Sequence, residues 1–88
     1  MQVSITKSAR QFGYVIWNSK NEGEIQKILG KRDEISVTFN GFQIGVKQID
    51  WKYHRISLGY KFTRALPPDA KDYALSVTGD CLEVTTKP

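Results

Sequence analysis

Residues 51–70 read WKYHRISLGYKFTRALPPDA, and the fold turns on how this stretch is laid out. Ile56, Leu58, Tyr60, Phe62, Arg64 and Leu66 occupy every second position, which is the period of a β-strand and not of a helical face. Trp51 and Tyr53 lie on the opposite parity, so the chain must bend or bulge near His54–Arg55. Pro67-Pro68 then ends pairing, because proline donates no hydrogen bond. The spacing predicts one strand over 56–66, followed by a turn at Pro67–Ala70.

Working outward, the same alternation recurs. Val3 and Ile5 share a parity in QVSIT, and GYVIW is aromatic and β-branched. In EISVTFNGFQIGVKQ, Ile35, Val37 and Phe39 alternate up to the hairpin turn Asn40-Gly41. Phe42, Ile44 and Val46 alternate back. YALSVTGDCLEVTT repeats the theme around Gly79-Asp80, and Ser36-Val37-Thr38 recurs forty positions later as Ser76-Val77-Thr78. One segment carries helix signals: Asn21 as N-cap, Glu24 as its capping-box partner, Gly30 as C-cap, and Ile25, Ile28 and Leu29 on one helical face. Gly23 and the loop NSKNEG leave a strand open for 22–29 as well.

Eighty-eight residues make one domain, 1–88. Up to nine short strands with regular turns imply an all-β fold, with room for one short helix near 22–29, built as an antiparallel β-sandwich; a small swapped-hairpin barrel is the rival. Val37, Ile44, Leu58, Phe62, Leu75, Leu82 and Val84 are the expected core.

The net charge of +4 is uneven. Lys47, Lys52, Arg55, Lys61 and Arg64 stand against Asp50 alone within 47–64, and the rest of the chain is balanced. Such a patch attracts polyanions. Interleaved with Trp51 and Tyr53, these cations form the expected contact surface for a partner, because bases stack on rings while phosphates pair with Lys and Arg. The single cysteine, Cys81, excludes an internal disulfide and suits a reducing, cytoplasmic setting. The N-terminus lacks the apolar core of a signal peptide. The longest uncharged run, Ile35–Val46, is too short to span a bilayer as a helix, so no membrane partner is expected.

Constellations for catalysis are missing. His54, the only histidine, sits beside Arg55 and makes a poor base. Cys81 has no histidine near it in sequence and should be an unreactive strand thiol. The glycines form no phosphate-cradling loop, and no acidic cluster suggests metal ligation. A non-catalytic protein without a cofactor is expected.

The second half resembles the alpha-crystallin domain of small heat-shock proteins and the related CS domain of co-chaperones. Tyr53-His54-Arg55, then Gly59, Phe62, Arg64, Leu66, Pro67, Asp69 and Ala70, then Ala74, Gly79, Leu82, Val84 and Lys87 follow that pattern in order. One extra residue lies between Gly79 and Leu82, and no proline stands beside Gly30. The resemblance implies a protein–protein interaction module that offers a sheet face or an edge groove to a protein partner. A homodimer is compatible with it.

YVIW…EIQKILG…DEISVTFNGFQI is similar to the AbrB-like swapped-hairpin unit, a strand, short helix and hairpin found in bacterial transcription regulators and antitoxins. Trp17 stands where that family usually has proline, and Tyr14 where it often has a DNA-contacting arginine. A second such unit would need a helix where the alternation of 60–66 gives a strand. This resemblance implies a small basic DNA- or RNA-binding protein that uses the 47–64 segment.

Overall fold

A computed structural model describes residues 1–86. The elements run β1 (Gln2–Ser4), α1 (Lys7–Phe12), β2 (Tyr14–Ile16), α2 (Glu22–Leu29), β3 (Glu34–Phe39), β4 (Phe42–Asp50), β5 (Arg55–Ser57), α3 (Tyr60–Thr63), β6 (Asp72–Thr78) and β7 (Cys81–Thr86). The fold is mostly β. Its seven described strands form one mixed sheet in the order β1-β6-β7-β3-β4-β5-β2, nearly closed into a barrel. Every ladder is antiparallel except β3–β7, which is parallel and pairs Val37 with Leu82. A wholly antiparallel arrangement is thus corrected at that one ladder.

Both hairpins form where turn chemistry placed them. Asn40 and Gly41 take φ 50° and 83°, the left-handed pair that a two-residue loop between twisted strands requires. Thr78 pairs with Cys81 across Gly79-Asp80, with Gly79 at φ 62°. Segment 22–29 is helical and buries Ile25 and Leu29, and Gly30 closes it by donating its N–H to Gln26 O at 2.8 Å. The Asn21–Glu24 capping box does not form. Asn21 is already in helical conformation (φ −93°, ψ −5°), and the side chain of Asn18 receives its N–H instead. The α1 helix gave no signal in the alternation; Thr6 caps it by accepting the Ala9 N–H at 3.1 Å.

The single strand expected over 56–66 is overturned. β5 stops at Ser57, Gly59 takes φ 103°, and Tyr60–Thr63 turn as α3. The cause lies far along the chain. A Cβ on Gly13 would fall on the backbone of Gly59 and Tyr60, so the two segments meet backbone to backbone. Gly13 O accepts the N–H groups of Leu58 and Gly59, and Thr63 Oγ1 donates to Arg10 O at 2.7 Å. Thr63 is fully buried while Tyr60, assigned by parity to the apolar side, is 58% exposed. A strand could not satisfy these contacts.

The β4 parity also breaks. Val37 pairs with Gly45 but Thr38 with Gln43, so Ile44 is an extra, bulged residue. Beyond the bulge the faces exchange: Val46 lies opposite Ser36 on the outer face and is exposed, and Ile49 is buried. Val37, Leu58, Leu75, Leu82 and Val84 are core residues as expected. Ile44 and Phe62 are only partly buried and pack on the core's edge. Lys87 of the crystallin-like pattern lies outside the described residues.

Candidate nucleic-acid interface

β2 and β5 form a short antiparallel ribbon in which Val15 lies opposite Ile56. Both are buried, which puts their neighbours Tyr14 and Arg55 on the other face of the ribbon. The Arg55 guanidinium sits 4.5 Å from the centroid of the Tyr14 ring and 5.1 Å from that of Tyr53. A flat, weakly hydrated cation between two rings is a favourable cation–π arrangement. Asp50 steadies the group: its carboxylate lies 3.6 Å from Arg55 Nε and accepts the Tyr53 N–H at 3.0 Å. Lys52 Nζ approaches the other end of the Tyr53 ring at 5.4 Å. Gly13, just ahead of Tyr14, meets the backbone of Tyr60, whose exposed ring carries Arg64 at 5.6 Å as a separate pair. Cations and rings are thus juxtaposed in the run Lys52–Tyr53–Arg55–Tyr14.

A half-buried cluster holds this surface from behind. His54, at φ 57°, turns the chain between Tyr53 and Arg55. Its Nδ1 lies 2.8 Å from Glu22 Oε2 at the start of α2, and that oxygen also accepts the Trp17 indole N–H at 2.5 Å. Burial works to raise the Glu22 carboxyl. The hydrogen bonds from Trp17 and His54, with the imidazole's charge, outweigh it and hold the pKa below the ordinary carboxylate value.

The chain matches no family model, no curated protein and no solved structure.

Of the seven residues expected on the contact surface, Arg64 stands apart over Tyr60, while Lys52, Tyr53 and Arg55 come together. Trp51 does not. Its ring packs edge-on against Trp17 at 5.9 Å, and its indole N–H donates to Arg32 O at 2.8 Å, so it closes one end of the core. Lys61 lies over the Phe62 ring at 5.2 Å. Lys47 stands on β4 opposite Ile35. These two belong to a different part of the surface. Tyr14 was not among the expected contacts. Only the β2–β5 pairing brings it in, and that pairing leaves no local mark in the sequence. Among the described residues no group of His, Cys, Asp and Glu could hold a metal ion, and no helix is long and apolar enough to cross a membrane.

Proposed function

We propose that this chain is a small, non-catalytic nucleic-acid-binding protein whose sheet works as a barrel rather than a sandwich, acting in the cytoplasm. The Arg55 guanidinium held between the rings of Tyr14 and Tyr53 carries the proposal. Rings offer faces on which bases stack, and the attached cations meet phosphates without the entropy of finding their place.

The order of elements supports it. Strand, helix and hairpin occur once as β2–α2–β3–β4 and again as β5–α3–β6–β7. The AbrB-like resemblance covered only the first unit as long as 60–66 was a strand; α3 supplies the helix that the second unit lacked. In the ribbon Tyr14 and Arg55 precede the facing pair Val15 and Ile56, so they are equivalent positions of the two units. The arginine missing at Tyr14 stands at Arg55. The crystallin-like pattern, by contrast, runs through Gly59–Leu66 as a strand, where the chain turns as α3.

The test is titration into single-stranded and duplex DNA and RNA at low and moderate salt. Binding should weaken with salt at a slope equivalent to several phosphate contacts. Lys52→Glu with Arg55→Gln should lower affinity by at least tenfold, with an unchanged circular dichroism spectrum checking that the fold survives loss of the half-buried Arg55–Asp50 pair. If the wild type binds no polyanion at low salt, the proposal fails.

A further inference from the structure

The wall of the sheet is open on one side. β4 runs for nine residues, but β5 pairs only with its last two, Ile49 and Asp50. From there β5 leaves toward α3, and the two sides meet again where Phe42 packs against Phe62, ring centroids 5.8 Å apart. Between these closures, among the described residues, no strand lies beside the outer backbone edge of residues 43–48. Polar backbone left without a partner in a sheet is a template for another strand.

Three further observations say what would fill it. Phe42, opposite Phe39, lies on the core face and is 63% exposed; Val46, opposite Ser36, lies on the outer face and is 59% exposed. Large apolar side chains bared on both faces of one open strand suit a neighbour with apolar groups on both of its faces. A cavity of about 420 Å³, lined mainly by Phe39, Phe62, Ala65, Leu66 and Pro67, adjoins the Phe42–Phe62 contact and has room for an anchoring side chain. The charge is one-sided: residues 42–48 and 57–64 carry Lys47, Lys61 and Arg64 and no carboxylate. The bulge at Ile44–Gly45 shortens any ladder, but a Cβ on Gly45 would meet nothing, so the edge is accessible there.

We propose that this opening receives an extended acidic segment of a protein partner, added as a strand along β4 with an apolar side chain in the Phe39–Phe62 cavity. Main-chain pairing supplies affinity and the cations select acidic sequence. The site is separate from the Tyr14–Arg55–Tyr53 surface and stands or falls independently of it.

The experiment uses the whole chain and two blocked peptides that share a Val-Val-Phe-Val-Val centre, which puts apolar groups on both faces of a strand, one flanked by Glu and the other by Lys. The Glu peptide should bind and slow amide exchange at residues 43–48 by at least tenfold while leaving β6 unchanged. Lys47→Glu with Lys61→Glu should abolish that protection with the circular dichroism spectrum retained, and should then permit binding of the Lys peptide. Equal binding of both peptides by the wild type, or no protection at 43–48 under saturating Glu peptide, overturns the proposal. A concentration-dependent dimer that protects 43–48 without peptide also overturns it, in favour of a second copy of the chain. Oligonucleotide titrations of Lys47→Glu, which leaves the Arg55 cluster untouched, report on the other site.

Discussion

Tyr73 is fully buried, and its hydroxyl is the one buried side-chain polar atom among the described residues that finds no hydrogen-bond partner. Its ring is well placed, edge-on to Phe39 at 6.3 Å. The hydroxyl contributes desolvation without a bond in return, a penalty of about 1–3 kcal/mol. Tyr73→Phe should therefore stabilise the protein by on the order of 1 kcal/mol in urea denaturation at neutral pH. The same burial pushes the phenol up from 10.0 to about 12, opposed only in part by the Arg10 guanidinium. With the folded value raised, the group leaves stability unchanged with pH below 10.0, and above it the unfolded state, which ionises first, is favoured as pH rises toward 12. Wild-type stability should drop relative to Tyr73→Phe across that window. A destabilised Tyr73→Phe variant would show that the hydroxyl has a partner.

At the scale of elements, one residue ties α1 to α3 and to the loop that leads into β6. Arg10, in α1, donates to the carbonyl oxygens of Leu66 and Pro67 at 3.1 Å each and of Ala70 at 2.8 Å, while its own carbonyl takes the Thr63 hydroxyl of α3. The guanidinium thereby fixes the path from α3 to β6. Arg10→Ala should cost about 1–3 kcal/mol, since three carbonyls lose a charged donor. Amide exchange at Leu66, Asp69 and Ala70 should accelerate far more than at Leu82. Uniform acceleration would mean that Arg10 holds no local segment. These contacts also explain what the sequence could reveal. The hairpins were legible because Asn40-Gly41 and Gly79-Asp80 set the parity of strands that follow at once. The 56–66 alternation misled because its apolar residues answer to different neighbours. Ile56 and Leu58 face the core, Phe62 packs beside Phe39 and Phe42, and Tyr60 is exposed. What chooses helix over strand there is a glycine more than forty residues upstream, beyond the reach of any local period. For the contact surface, Lys52, Tyr53 and Arg55 were visible as one run of letters. Trp51 looked the same in that run, and its packing against the end of the core depends on Arg32 and Trp17.

At the scale of the molecule, Glu22 ties two distant segments of the chain together. It starts α2 and holds His54, just ahead of β5. Its carboxyl sits below the ordinary value of 4.5, so its contribution is fully present above that pH and lost as pH falls through the folded pKa. Acidification below about 4.5 should therefore reduce wild-type stability more than that of Glu22→Gln, and should loosen the turn that presents Tyr53 and Arg55. Denaturation midpoints of the two proteins at neutral and acid pH, with Arg55 and Tyr53 resonances followed by NMR, provide the check. Parallel pH curves would dissociate Glu22 from that contact.

The parallel β3–β7 ladder dictates an order of events during synthesis. β3 is made early, and β4 covers only one of its edges; its other edge waits for Cys81–Thr86, the last described strand to be translated. Until then Val37 and Phe39 have no Leu82 or Val84 to close over them. A nascent chain halted before Cys81 would hold a formed β3–β4 hairpin with a bare, apolar flank, a substrate for chaperones or for pairing with its neighbours on a polysome. Asn40 marks completion. Its side chain accepts the Thr86 N–H at 2.9 Å and donates to the Thr86 hydroxyl at 3.1 Å, so the turn that folds among the first becomes the latch for the last strand to arrive.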